Sequence, residues 1–196
     1  MTRVRVFASA RIPLFLCFVV LPAVGLAQKT PKAPKQNEHR PLLDARERAF
    51  VAQATSDDDM QITLAKLAMS KSGNPRMRAL ASKIVSDHTA LNLQFAQFAS
   101  TKGSKGRAQG VPENIRAMQA HLQSLQGDAF DQAFAGMMVK EHRKIIVAYE
   151  AAAKTSADDR LKTIAARGIP VLQEHLDAAR TLMKQGSTAE HRRGDK

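Results

Sequence analysis

The sequence predicts an all-α domain: a four-helix bundle with a crossover connection and one short extra helix. Three observations carry this. Apolar residues recur at steps of three and four along four long segments, the period of a helix with one buried face. Ala, Leu, Lys, Gln and Met, all good helix formers, are abundant, whereas Trp is absent and Tyr occurs once. Gly and Pro fall mostly at segment edges. A length of 196 residues suits one domain plus tails.

Residues 1–27 read as a signal peptide. Arg3, Arg5 and Arg11 form a basic start without acids, Ile12 to Leu26 is apolar, and Gly25-Leu26-Ala27 offers small residues for cleavage near Ala27. A transmembrane anchor is the alternative, but the run is broken by Pro13 and Pro22 and falls short of the roughly 20 residues a span needs. The expected destination is the periplasm or the exterior. Cys17, the single cysteine, lies within this segment, so the remaining chain has no disulfide and no CxxCH haem-attachment site. Residues 28–43, with Pro31, Pro34 and Pro41, read as a flexible linker, residues 44–186 as the bundle, and residues 187–196 as a disordered polar tail.

The first helix is expected from about Asp44 to Ser72, with Thr55–Ser56 a point where it can break and Asp57-Asp58-Asp59 suited to a helix start. Leu64, Leu67 and Ala68 form its apolar stripe. The second begins with Asn74 as N-cap and Pro75 at the first helical position, and buries Leu80, Ile84, His88, Leu91, Phe95 and Phe98. After a basic, Gly-rich loop, a short helix runs from Pro112 to about Leu125. The third long helix, about Asp128 to Thr155, presents Phe130, Phe134, Met138, His142, Ile145 and Tyr149. The fourth starts near Ser156 and presents Leu161, Ile164, Gly168, Leu172, His175, Ala179 and Leu182, with a kink expected near Ala166 from Pro170. Two hairpins joined by one long connection are wired as in ferritin-like folds.

Three histidines stand out. His88, His142 and His175 each replace an apolar residue in an inward stripe, and each directly follows an acid: Asp87, Glu141 and Glu174. Counting at about 1.5 Å per residue, and taking the second and third long helices as antiparallel, His88 and His142 lie level. His175 is then offset by about 9 Å on the same rise, and Gln61 falls opposite His88. The candidate site is therefore a metal centre of His88, His142, His175 and Gln61, oriented by Asp87, Glu141 and Glu174. Imidazole donors suit copper, zinc or iron. The alternatives are a buried, metal-free His–carboxylate network and non-covalent haem held by Met60 and His175. His39, His121 and His191 are assigned no role. The methionines, at helical spacing, read as core filler.

Several stretches carry a family resemblance: Phe50-Val51 with Leu64-Ala65-Lys66-Leu67-Ala68, Ser86-Asp87-His88-Thr89, Glu141-His142 with Tyr149-Glu150, and Pro170 to Leu176. In these the chain resembles the bacterial "domain of unknown function 4142" family, from Phe50 to Lys184. The resemblance implies a ferritin-like fold and export, but no established activity. Members are often labelled outer-membrane proteins, yet this chain has no alternating, barrel-forming strands. Members often carry Glu where this chain has Gln61, so an oxygen ligand there would be neutral. No main helix carries the Glu-x-x-His spacing of ferritin-like di-iron sites, which argues against that chemistry.

Composition limits the function classes. The net charge of +12 falls to +9 if residues 1–27 are removed. Outside the cytoplasm such a chain meets anionic envelope surfaces, and Lys102, Lys105 and Arg107 suit attachment to them. Charges spread without interleaved aromatics argue against nucleic-acid binding. No catalytic triad order or phosphate loop is present, so of the enzyme classes only an oxidase built on the histidine layer stays open, and an enzyme is not the expected reading. The expected function is transition-metal binding in stress or envelope homeostasis; the alternative is a non-enzymatic, metal-free envelope protein.

Overall fold

The computed structural model describes residues 43–102 and 113–194. The chain divides into two units, residues 1–38 and 39–196. The expected signal peptide, all but Leu43 of the linker, and the loop residues Lys105 and Arg107 lie outside the described residues.

Five helices make up the described chain: α1 (Ala45–Lys71), α2 (Pro75–Thr101), α3 (Glu113–Ser124), α4 (Gly127–Thr155) and α5 (Asp159–Gly194). None is long and apolar enough to cross a membrane. α1 begins with a capping box: the Glu47 N–H donates to Asp44 Oδ1, and the Asp44 N–H donates to Glu47 Oε2. It then runs unbroken through Thr55–Ser56, contrary to the expected break. Thr55 stays helical by donating its hydroxyl to the Val51 carbonyl one turn back. Asp57 to Asp59 therefore sit mid-helix, not at a helix start. α2 starts as expected, with Asn74 Oδ1 accepting from the Arg76 and Met77 N–H groups ahead of Pro75.

α5 is continuous through Pro170, which removes the donor for the Ala166 carbonyl. Ala166 and Pro170 are both exposed, so water can serve that carbonyl. α5 departs from expectation at its C-terminal end: the helix continues to Gly194, so residues 187–194 of the expected disordered tail are helical. Ala189, Glu190, Arg192 and Arg193 are good helix formers that extend a helix already nucleated by packing.

End-to-end contacts fix the topology. At one end, Glu47 Oε1 accepts from the Ala157 and Asp158 N–H groups, and Lys102 pairs with Asp158. At the other, Lys71 Nζ donates to the Gln123 carbonyl and Arg76 donates to Gln185. The starts of α1 and α5 thus share one end with the finishes of α2 and α4. α1 and α2 form one antiparallel hairpin, α4 and α5 another, and α2 and α4 run parallel. The antiparallel assumption for α2 and α4 is corrected. His88 and His142 are level because each lies near its helix's middle, 13 and 15 residues from the respective starts.

The core is continuous, with Leu64, Ile84, Phe95, Phe98, Phe130, Phe134, Met138 and Leu161 fully or almost fully buried. Each large apolar side chain so placed contributes roughly 1.5–3 kcal/mol relative to exposure. Gly168 lets α5 approach α4 closely: a Cβ there would lie 2.5 Å from Tyr149 Cε1.

Candidate metal centre

The expected inward stripes of α2, α4 and α5 are all buried, and they deliver three imidazoles to one point in the middle of the bundle. His88, His142 and His175 are each 0 % exposed. Their ring centroids form a nearly equilateral triangle, 5.5 Å from His88 to His142, 5.4 Å from His88 to His175 and 5.3 Å from His142 to His175. The expected 9 Å offset of His175 is not observed: its Nδ1 lies 3.2 Å from His142 Nε2. His88 Nε2 lies 3.4 Å from the same atom. One ring nitrogen from each histidine lies within 4.8 Å of the other two.

The outer ring nitrogens explain the orientation. His142 Nδ1–H donates to its own helix's Met138 carbonyl at 2.9 Å. His175 Nε2–H donates to Asp87 Oδ2, also at 2.9 Å. His88 Nδ1 lies 2.8 Å from Asp58 Oδ1. When Asp58 gives up the proton that burial lets it keep near pH 7, all three rings hold theirs on the outer nitrogen, and three lone pairs converge. For metal–nitrogen bonds of about 2.0–2.1 Å, two ligands of a tetrahedral ion stand about 3.3–3.4 Å apart. The two observed separations bracket that edge, so the donor set fits a small transition-metal ion with a fourth position left over.

Burial sets the electrostatics. It pushes His88 and His175 down to about 4 and His142 down to about 3, where neighbouring histidines add to the effect. The rings are therefore neutral near pH 7, the form that ligates metal. Burial also raises Asp58 to about 8, assisted by the charge of Asp57. Against the cost of its own partial burial, Asp87 is held below the ordinary carboxylate range by Lys83 and His175.

Of the three acids expected to orient the rings, one does so. Asp87 reaches across to His175 on the neighbouring helix. Glu174 points outward, 64 % exposed, and pairs with Lys83 at 3.3 Å. Glu141 is buried but pairs with Lys144 at 3.8 Å, and no hydrogen bond joins it to a histidine. The reason is angular: an acid one residue before an inward histidine sits about 100° round the helix, and only for Asp87 does the adjoining seam hold another helix's imidazole. Gln61 is fully buried on the inner face of α1, and neither of its amide atoms makes a hydrogen bond.

Asp58 is the orienting group the sequence analysis missed. It is 1 % exposed and one turn before Gln61 on the same face. The available signal was the stripe Val51, Ala54, Asp58, Gln61, Ala65, Ala68, which keeps helical spacing through the acidic run. Its level also fits: Asp58 is 13 residues before the end of α1 and His88 is 13 after the start of α2.

Residues 31–182 match the family model described as "Domain of unknown function (DUF4142)". The chain belongs to this family. No curated protein matches it. Among solved structures, the DUF4142 chain is similar to one described as "CopM in the Cu(II)-bound form", with a TM-score of 0.59 and 15 % sequence identity, over 71 % of this chain and 96 % of that one. At that identity the likeness shows the fold.

Proposed function

We propose that this DUF4142 protein is exported and binds one transition-metal ion, of the copper, zinc or iron class, between His88, His142 and His175. One observation supports this above the rest: every outer ring nitrogen has its own partner, and the inner nitrogens of His88 and His175 each lie at about a tetrahedral edge from His142 Nε2. Gln61, fully buried with an unpaired carbonyl oxygen, is the candidate fourth donor. The structural likeness to a protein described in a Cu(II)-bound form puts copper first among the metals to test.

A second reading has one specific observation behind it. The raised Asp58 can keep a proton, donate it to His88 Nδ1, and leave His88 Nε2–H to donate to His142 Nε2. That metal-free network satisfies two rings but turns the His175 Nδ1 lone pair toward a lone pair on His142.

The test is titration of chelator-stripped protein with Cu(II), Zn(II) and Co(II). The expected result is one tightly held equivalent per chain, lost in the His88→Ala/His142→Ala double variant. Retention below about one equivalent of every metal overturns the metal reading. For export, the protein recovered from outside the cytoplasm should begin at Gln28.

A further inference from the structure

A metal centre sealed in the middle of a bundle needs a way in. The net charge of +9 left once residues 1–27 are removed makes the average surface repulsive to a cation. Two seams lie between the tight hairpins, α2 against α5 and α1 against α4. The first is closed over the centre: Lys83 Nζ bridges Asp87 at 2.9 Å and Glu174 at 3.3 Å, setting a positive charge outside His175. The second opens into a cavity of about 430 Å³, whose lining includes Asp44, Glu47, Phe50, Ala54, Asp57 and Tyr149.

Resting on the metal reading above, we infer that this α1–α4 cavity is the entry passage for the metal cation, with Asp57 as its inner carboxylate. The cavity's three acids, Asp44, Glu47 and Asp57, come from α1 and its N-cap, and Arg46 is the one cationic side chain in the lining. Glu47 and Asp44 are tied up in backbone hydrogen bonds, whereas Asp57 receives a single side-chain bond, from Gln53 at 2.8 Å. Beyond it stand polar atoms that the fold itself does not use. The Tyr149 hydroxyl belongs to a cavity-lining residue 1 % exposed and makes no hydrogen bond, and neither does Asp58 Oδ2. Asp57 and Tyr149 line the same cavity, and Asp58 follows Asp57 directly in α1. Asp58 in turn touches His88. Asp57 and Tyr149 in the cavity lining, then Asp58, whose Oδ1 lies 2.8 Å from His88 Nδ1, form a line of oxygen-bearing side chains that leads from the cavity toward His88. Such a line lets a cation exchange its water shell stepwise instead of losing it at once.

The experiment is stopped-flow loading of stripped protein with Co(II) or Cu(II), following metal absorbance, alongside dissociation into excess chelator. Ala148→Phe narrows the passage, and Ala151→Trp, at an exposed lining position, does so with less risk to folding. Both should slow association and dissociation by the same factor, about tenfold, leaving stoichiometry and Kd unchanged. Asp57→Asn should slow association by about tenfold, with a salt dependence weaker than wild type. Wild-type rates in both narrowing variants, or faster loading in Lys83→Met, overturn the passage while the metal centre stands. Failure of wild type to retain any metal removes both.

Discussion

Acidifying the metal-free protein should destabilise it along a curve that the buried groups dictate. Unfolded histidines titrate at 6.5, whereas the folded rings titrate at about 3 to 4. Between these values the unfolded chain binds up to three more protons, so stability falls as pH drops below 6.5. Asp58 works the other way: its folded value is about 8 against 3.8, so from 3.8 to 8 the folded state holds one more proton and stability declines as pH rises. Near pH 5.5 the balance is close to two protons in favour of the unfolded chain, or roughly 2 kcal/mol of stability lost per pH unit. Above pH 7 only the weaker, opposite slope of Asp58 remains, placing the maximum between pH 6.5 and 7. His142→Leu removes one of those protons and should roughly halve the acid-side slope. Urea unfolding in chelator, read by circular dichroism at half-unit pH steps, gives the curve. A profile flat from pH 7 to 5, or an unchanged slope in His142→Leu, would refute the neutral, desolvated state assigned to the rings.

Other outcomes follow from particular contacts. Asp87→Asn should weaken metal affinity about 10- to 100-fold by loosening His175, while Glu174→Gln should leave it within error in the same competition titration. Glu47→Ala strands the Ala157, Asp158 and Asp44 N–H groups, and should cost about 2–3 kcal/mol in urea unfolding, whereas Glu47→Gln should recover part of it. Gly168→Ala pushes a methyl group into the Tyr149 ring and should cost about 1–3 kcal/mol, opposite in sign to the gain a helix usually takes from this change.

The one-dimensional pattern was enough for the elements and their inner faces. Period and caps name α2 from Asn74, and every stripe residue assigned to α2, α4 and α5 is buried, because burial of an amphipathic helix is decided by its own spacing. The three buried histidines were legible for the same reason, since a polar residue inside an apolar stripe must face the core. What surrounds them was not. Whether Asp87, Glu141 or Glu174 meets an imidazole depends on which helix lies across the seam, and Asp58 reaches His88 only because two helices share a register. The heights, too, follow from α2 and α4 running parallel, a consequence of where the connection returns the chain. Spacing along one helix fixes an angle about that helix; distances between helices come from packing, and only the tertiary structure supplies them.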